Sequence, residues 1–195
     1  MPSKDFDLIV DLMNKFFVQK KIRNSLEAFE CIGISDWETW WQVEFAVFLS
    51  GHESNHEWYR EEYIPVDKRK ERSKYNLIAD FIIRPKNHAL DKYILLEFKQ
   101  HKSTKTCISR MFDDILKIDR AKVSSINLRS VWAVGVHPKG NKKILREKVE
   151  EIARKRNLEL CKVYTKFISN TGFAYSIFCK NQALSGQSVS LRYDV

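Results

Sequence analysis

Two short apolar segments, each interrupted by a single carboxylate, constrain the fold of this chain of 195 residues. Residues 77–83 read LIADFII and residues 93–98 read YILLEF, so Asp80 and Glu97 are the charged side chains of the two runs. Short apolar runs bounded by Pro, Asn and Asp predict strands that are buried on both faces. A carboxylate in such a strand is unfavourable by several kcal/mol unless it is paired or bound to a cation, so both positions indicate a site.

The short connection between these runs predicts an antiparallel pair. Residues that face each other in such a pair have a constant sum of residue numbers, and a pairing of Asp80 with Glu97 centres the turn after residue 88, in the middle of the connection. We therefore expect Asp80 and Glu97 to be cross-strand neighbours, with β-carbons about 5 Å apart. Lys99 lies two residues after Glu97 and shares its face.

Two neighbouring carboxylates repel one another unless a cation lies between them. Their oxygen atoms suit a hard divalent ion such as Mg²⁺, and one or two such ions would also keep water ligands. Lys99 could orient or help deprotonate an attacking water, or stabilise charge on a phosphate. The alternative is a strand salt bridge from Lys99 to Asp80 or Glu97, which the apolar remainder of both strands disfavours.

A helix predicted over residues 36–50 holds a third acidic residue. Residues 37–49 read WETWWQVEFAVFL, and helical spacing places Glu44 on the apolar stripe with Trp41 and Phe48. We therefore expect Glu44 to face inward, toward the carboxylates on the sheet. The alternatives are that Glu44 reaches the edge of the interface, or that it pairs with Arg60 or Lys4.

The remaining periodicities predict a single α/β domain in which a mixed central sheet is flanked by helices. Helices are expected over residues 5–22, 36–50, 108–123 and 141–156. Strands are expected over residues 58–66, 77–83, 93–98, 131–136, 158–164 and 173–179. Ser35 or Asp36 is expected to cap the second helix, and Gly51 to end it.

The net charge of +9 is distributed unevenly. Residues 1–66 carry six basic and twelve acidic side chains, whereas residues 67–195 carry 28 basic and thirteen acidic ones. This asymmetry is typical of a face that binds a polyanion, although lysines also serve for solubility. The candidates for nucleic-acid contacts lie in the basic segments, with a solvated surface as the alternative for each: Lys68, Arg69, Lys70, Arg110, Lys117 and Arg120. Asp113 and Asp114 are expected to be surface acids.

Other features bear on the class of protein. No apolar run approaches the roughly 20 residues of a membrane-spanning helix, and the acidic start MPSKDFDLIV predicts no export. Four dispersed cysteines without a CxxC pair predict reduced, buried thiols in a cytoplasmic protein. Residues 52–56, HESNH, match the zinc-protease pattern HExxH, but Gly51 and Ser54 predict a connecting loop instead of the helix that this pattern needs.

These residues resemble the motif of the PD-(D/E)XK, or restriction-endonuclease-like, nuclease superfamily. The resemblance rests on Glu44 in an early helix, on Asp80 near the end of one strand, and on the triplet at residues 97–99 in the next strand. The predicted order α-β-β-β-α-β over residues 36–138 is similar to the core of that family. Ala79 stands where the Pro of the family name would be.

The resemblance implies a role for each of these side chains. Asp80 and Glu97 would bind Mg²⁺, with help from the carbonyl oxygen of Phe98. Lys99 would serve the attacking water, and Glu44 would support the same metal ion or a second one. Residues 1–35 and 139–195 would then be N-terminal and C-terminal additions to the nuclease core.

The function implied is that of a Mg²⁺-dependent endonuclease, a hydrolase acting on double-stranded DNA. The core leaves no separate base-reading module, so the chain resembles the small catalytic subunit of a heterodimeric type IIS restriction endonuclease, paired with a larger recognition subunit. A homodimeric restriction enzyme, a junction-resolving nuclease or a repair nuclease would show the same motif. A non-catalytic nucleic-acid-binding module of the same fold is the alternative without activity. The expected setting is the cytoplasm, in a bacterial or phage system.

Overall fold

The computed structural model describes residues 2–54, 56–64, 77–86, 92–120 and 127–180. The helices are α1 (Pro2–Phe17), α2 (Lys20–Ile32), α3 (Glu38–Ser50), α4 (Thr104–Arg120) and α5 (Lys142–Lys155). The strands are β1 (Glu57–Ile64), β2 (Leu77–Arg84), β3 (Lys92–Gln100), β4 (Asn127–Pro138), β5 (Leu160–Phe167) and β6 (Phe173–Lys180). None of the described helices is both long and apolar enough to cross a membrane.

The strands form one sheet in the order β1-β2-β3-β4-β6-β5. Strands β3 and β4 are parallel, and the other neighbouring pairs are antiparallel. A parallel pair needs a crossover connection, and α4 lies in the segment that joins β3 to β4. The predicted class, an α/β fold with a mixed central sheet flanked by helices, is confirmed.

The register of β2 and β3 is the one predicted from the two interrupted runs. Phe81 faces Leu96 in the antiparallel ladder, and the same register carried one residue further sets Asp80 opposite Glu97. The middle of the predicted connection, residues 87–91, lies outside the described residues. A one-residue slip would have turned the buried side chains of one strand toward the wrong face, which explains why the pattern specifies the register.

Helices cover both faces of the sheet. On the face covered by α1, α2 and α3, Trp41 stacks on Phe98 with ring centroids 4.0 Å apart. On the face covered by α4 and α5, Phe112 stacks on Phe178 at 4.5 Å. Burial of each such side chain contributes roughly 1.5–3 kcal/mol. Because side chains alternate along a strand, the packing of Phe98 against α3 directs Glu97 and Lys99 to the α4 face.

Helix α4 packs closely on β4 at Gly135. A Cβ atom at this position would overlap Met111 Sδ and lie 3.0 Å from Cys107 Sγ. Met111 and Cys107 are themselves fully buried, so neither can move aside into solvent. The absence of a side chain at Gly135 therefore sets how closely α4 approaches the sheet.

The N-terminal region forms two helices and not the single helix predicted over residues 5–22. Helix α1 ends at Phe17 and α2 begins at Lys20. The apolar stripe continued from Phe17 would fall on Lys20 and Lys21. The chain therefore turns at Gln19, which is extended with φ −62° and ψ 130°, and α2 buries Ile22 on a new axis.

The start of α3 also differs from its prediction. Trp37 is the N-cap residue and makes no capping hydrogen bond through its side chain. Neither expected cap acts there, since the Ser35 hydroxyl donates to Asp36 at 3.0 Å. Gly51 ends α3 as predicted.

A buried polar network ties α1 to β4. Asp5 is 2% exposed, and Arg129 donates to both of its oxygens, from Nε at 3.0 Å and from Nη2 at 2.7 Å. The Ser130 hydroxyl donates to the same carboxylate at 2.8 Å, and Trp132 Nε1 donates to Ser130 Oγ at 2.9 Å. The network offsets the unfavourable burial of Asp5 with a bidentate ion pair.

The cysteines depart from the prediction of reduced, buried thiols. Cys161 on β5 and Cys179 on β6 form a disulfide. Cys31 is exposed, and Cys107 is buried as expected. The apolar sequence neighbours of Cys161 and Cys179 indicated burial, but they carry no information on the pairing of the two strands that joins them.

Candidate active site

A break in the pairing of β1 with β2 lies at Asp80. The pairing of β2 with β1 passes over Asp80 and Glu61, and Glu61 has a positive φ of 54°. The Asp80 carboxylate turns to the neighbouring strand instead, where its Oδ2 accepts a hydrogen bond of 2.6 Å from the Phe98 N–H. Local strain in β1 is thus found beside the carboxylate that the sequence singled out.

Glu97 is a buried carboxylate without a hydrogen-bond partner. It is 6% exposed, and no described residue donates a hydrogen bond to it or pairs with it. Its oxygen atoms are not among the fully buried polar atoms of the described chain, so the small exposed fraction includes the carboxylate. Burial raises its pKa well above the ordinary value, and the Asp80 and Asp114 carboxylates raise it further. The positive charges of Lys99 and Lys117 oppose this shift. A charged Glu97 is therefore unfavourable unless a further cation approaches it.

The pKa of Asp80 is also raised, but less than that of Glu97. Burial raises its pKa, against the lowering effects of the Phe98 N–H and of Lys99. The carboxylates of Glu38 and Asp114 add to the upward shift. Two adjacent acids with raised pKa values form a site whose negative charge is only partly compensated by the chain itself.

Lys99 provides the compensating charge within the site. Its side chain is 18% exposed, and its Nζ lies 3.1 Å from Asp114 Oδ2 and 3.2 Å from Glu38 Oε1. It also donates to the Phe98 carbonyl at 2.9 Å. Burial by itself would lower the pKa of Lys99, but four carboxylates outweigh it and raise that pKa. The ammonium group is thereby held protonated and fixed in direction.

Glu38, and not Glu44, is the acid that α3 brings to this site. Glu38 contacts Lys99, and its Oε2 accepts the Gln100 N–H at 2.7 Å. Glu44 pairs instead with Lys21 Nζ at 2.8 Å, so the prediction that it faces the sheet carboxylates is wrong. Helix α3 is apolar nearly all round, and its apolar positions therefore could not show which acid points to the sheet.

Asp114 is a second acid that sequence reasoning misplaced. Both acids of the pair on α4 were predicted to lie at the surface, and Asp113 does so, pairing with Arg156. Asp114, the next residue along α4, points to a different side of the helix and pairs with Lys99. The sequence signal for Asp114 was its spacing of three residues from Lys117, which places both side chains on the same side of α4. Lys117 in turn lowers the pKa of Glu97, so this side of α4 faces the site.

The predicted nucleic-acid contacts are only partly described. Lys68, Arg69 and Lys70 lie outside the described residues, and of Arg120 the backbone alone is described. Arg110 and Lys117 are exposed on α4. Lys117 is near enough to Glu97 to lower its pKa, so of these two Lys117 is the one that acts on the site.

The HESNH segment does not form the helix that zinc proteases require. Helix α3 ends at Ser50, and His52 and Ser54 lie in the turn that follows, with His52 Nδ1 2.5 Å from Ser54 Oγ. The prediction of a connecting loop is confirmed for these residues. Histidines that are not held one helical turn apart do not present two nitrogens to one ion.

The site offers oxygen donors that suit a hard divalent cation. Asp80 and Glu97 supply carboxylates, and the Phe98 carbonyl lies within reach of the Lys99 ammonium. In the part of the chain that the structure describes, no group of three His, Cys, Asp or Glu side chains is arranged to enclose a metal ion. Mg²⁺ commonly binds through one or two carboxylates and keeps several water ligands.

Comparisons with protein-family models, with curated proteins and with solved structures find no match. The chemistry available to the site therefore has to be inferred from its own side chains. The buried carboxylate of Glu97, the half-buried carboxylate of Asp80 and the fixed ammonium group of Lys99 can hold a cation and place positive charge beside it. That combination suits a reaction in which negative charge develops, such as attack of water on a phosphodiester.

Proposed function

We propose that the chain is a metal-dependent nuclease whose site is formed by Asp80, Glu97 and Lys99. The observation that carries the proposal is Glu97, which is 6% exposed and has no hydrogen-bond or ion-pair partner among the described residues. A carboxylate buried to this extent is unfavourable in its charged form. A divalent cation bound by Glu97 and Asp80 together would offset the unfavourable burial of the negative charge. If Glu97 served only in a structural salt bridge, it would have a basic partner.

The roles of the residues follow from their contacts. A bound Mg²⁺ would supply a Lewis acid for the phosphate and lower the pKa of the attacking water. Asp80 and Glu97 would hold the ion, with the Phe98 carbonyl as a third oxygen donor. Lys99 would orient the attacking water or stabilise the negative charge that develops on the phosphate as the P–O bond to the leaving group breaks.

Glu38 and Asp114 are positioning residues in this proposal. Each lies within 3.2 Å of Lys99 Nζ, and they come from α3 and α4 on opposite sides of the sheet. Held from two directions, the ammonium group loses little further entropy when substrate arrives, which is how a preorganised site lowers a barrier.

The order of the elements supports membership in the PD-(D/E)XK superfamily. Helix α3, strands β1, β2 and β3, helix α4 and strand β4 follow one another in the order α-β-β-β-α-β that this family shares. The metal ligands proposed here stand on β2 and β3, as the resemblance implies. Glu38 takes the place in α3 that the resemblance gave to Glu44.

We propose double-stranded DNA as the substrate and a partner for sequence recognition. The basic excess of residues 67–195 suits phosphate contacts. Each described helix packs against the sheet or another helix of the same layer, so no described segment stands apart as a base-reading module. A larger recognition subunit, as in heterodimeric restriction endonucleases, or a second copy of the chain would supply the specificity.

The test is nicking of supercoiled plasmid DNA, with Mg²⁺ and with EDTA. Wild type is expected to nick only with Mg²⁺, and Asp80→Asn and Glu97→Gln are expected to lose activity by at least about 100-fold. Glu44→Gln is the matched control, because it removes one carboxylate of the neighbouring helix that pairs with Lys21. It should retain the wild-type rate.

A partner-independent measurement accompanies the nicking assay. Mg²⁺ should raise the melting temperature of the wild type and leave that of Asp80→Asn unchanged, since an ion that binds only the folded protein stabilises it. Nicking that persists in EDTA and in Asp80→Asn would overturn the mechanism. Equal stabilisation of both proteins by Mg²⁺ would place the ion elsewhere.

A further inference from the structure

A second group of positive charges lies at the end of the sheet where β3 and β4 end. Lys139 follows β4, and Lys142 begins α5. Both side chains are exposed, and their ammonium groups converge on the ring of Phe167, at 5.9 Å and 5.2 Å from its centroid. An aromatic face attracts cations, so Phe167 holds two like charges together at the surface.

No acid of the described chain neutralises this pair. Among the described residues, neither Lys139 nor Lys142 nor the exposed Lys143 forms an ion pair. The first turn of α5 contains no acidic residue, although the helix dipole favours acids there by about 0.3–1 kcal/mol each. The Asn141 side chain already caps this helix by accepting from the Lys143 and Ile144 N–H groups. Lys142 and Lys143, in that first turn, therefore reduce the stability of the helix start, which favours a role in binding.

The register of the sheet relates this group to the candidate active site. Lys99 is in register with Gly135, and Gly135 with Ser176, which faces Thr165 on β5. Phe167 lies two residues beyond Thr165, so three strand spacings and two residues separate Phe167 from Lys99. At about 4.8 Å per spacing and 3.3 Å per residue, the two backbone positions are roughly 16 Å apart.

Phe167 and Lys99 also belong to the same face of the sheet. Side chains in register share a face, and Lys99 lies on the face covered by α4 and α5. The chain after β3 stays bonded to β4 at this end, because His101 N–H donates to Val136 O at 3.3 Å. A rise of about 3.4 Å per base pair makes 16 Å the span of about five base pairs.

We propose that Lys139 and Lys142, held together by Phe167, bind backbone phosphates of the nucleic acid about five base pairs from the phosphate at the metal site. The proposal rests on the nuclease function proposed above for the partner it names. Nucleic acid is favoured over an anionic membrane because the lysines share a face and an end of the sheet with the phosphate-directed site. Phe167 is a positioning residue for the two ammonium groups.

The experiment measures binding of a fluorescently labelled 20-base-pair DNA duplex to the full chain in EDTA, from about 50 to 200 mM salt. Lys139→Ala/Lys142→Ala should weaken binding on the order of tenfold and reduce the log–log salt slope by about 1.8, or 0.9 for each phosphate contact. Phe167→Leu keeps both charges, so it should weaken binding about two- to fivefold without changing the slope.

The matched control is Lys20→Ala/Lys86→Ala. It removes the same charge from exposed lysines elsewhere on the surface. Lys20 begins α2, which covers the face of the sheet opposite to Lys99, and Lys86 follows β2, at the opposite end of the sheet because β2 runs antiparallel to β3. This control should leave affinity and slope close to wild type. Equal loss in both double variants would show general electrostatic attraction, and no loss in either would show no contact at these lysines. Either outcome overturns the proposal.

The outcomes separate this surface from the metal site. Loss of binding in Lys139→Ala/Lys142→Ala, together with nicking that is indifferent to EDTA and to Asp80→Asn, would keep the surface and remove the metal mechanism. Cleavage that requires Asp80, with unchanged duplex binding by the lysine variant, would do the reverse. Loss of sedimentation with phosphatidylserine vesicles, without loss of duplex binding, would assign the lysines to a membrane surface and overturn the proposal.

Discussion

Glu97 lowers the stability of the protein at neutral pH when no cation is bound. Its pKa is raised in the fold, so the native state holds a proton that the unfolded chain releases above about pH 4.5. The free energy of unfolding therefore falls as pH rises from 4.5 through the raised pKa. A residue that the fold tolerates at this cost is best explained by a role in binding.

Replacing Glu97 by glutamine is therefore expected to stabilise the metal-free protein. Glu97→Gln should raise the free energy of unfolding at pH 7 and flatten its decline with pH above 4.5. Urea denaturation between pH 4.5 and 8 in EDTA measures both effects. Glu44→Gln, which loses a partly exposed salt bridge with Lys21, should change stability little and in the opposite direction. A destabilised Glu97→Gln would mean that Glu97 has a structural partner.

A substitution at Lys99 tests the proposed catalytic role separately from the proposed metal binding. Lys99→Gln should reduce nicking by at least about 100-fold, because the ammonium group beside the phosphate is lost. It should also enlarge the rise in melting temperature caused by Mg²⁺, since four carboxylates then lack their internal cation. Nicking and thermal shift on the same preparations test both points. Parallel loss of activity and of Mg²⁺ stabilisation would assign Lys99 a structural role instead.

At the scale of elements, the positions of Asp80 and Glu97 could be predicted because side chains alternate between the two faces of a strand. Strand β3 and the part of β2 from Phe81 to Ile83 are buried on both faces, and each strand has one acid, so a single register satisfied the pattern. Helix α3 gave no such restriction, because apolar residues surround it and Val43 and Val47 remain 44% and 60% exposed. Its inward face is set by the stacking of Trp41 on Phe98, which only the folded chain reveals.

The two helices before α3 show a second limit of sequence patterns. The apolar residues up to Phe17 and those from Ile22 onward each have helical spacing, but they bury different faces around the turn at Gln19. When two helices follow one another without a Pro or Gly between them, their apolar patterns together predict a single helix. Here the only sign of the break between α1 and α2 was that Lys20 and Lys21 occupy positions where the apolar stripe would continue.

The position of α4 on the sheet controls the geometry of Lys99. Gly135→Ala should displace α4, destabilise the protein by about 1–3 kcal/mol and lower the rate of nicking, because α4 carries Asp114. Gly140→Ala is the control, since a Cβ atom there would lie 3.6 Å from Leu145 Cδ2, an ordinary contact. Urea denaturation and the nicking rate report the two effects. A stable Gly135→Ala with full activity would show that Met111 and Cys107 can rearrange without moving the helix.

At the scale of the whole molecule, the uneven charge of the sequence becomes a difference between two faces of the sheet. Helices α1, α2 and α3, on one face, carry five basic and seven acidic side chains. Helices α4 and α5, on the face where Glu97 and Lys99 also lie, carry ten basic and six acidic ones. The helices of the face that holds the candidate site would therefore attract a polyanion more than those of the opposite face.

The Asp5 network can form only late in the synthesis of the protein on the ribosome. Its two ends are 124 residues apart in the chain. At about 5–20 residues per second, synthesis needs on the order of ten seconds to make Arg129 after Asp5. During that interval α1 has no central strand to cover, and its apolar face is open to chaperones or to other nascent chains. Helix α1 is thus synthesised first but is among the last helices to reach their native packing.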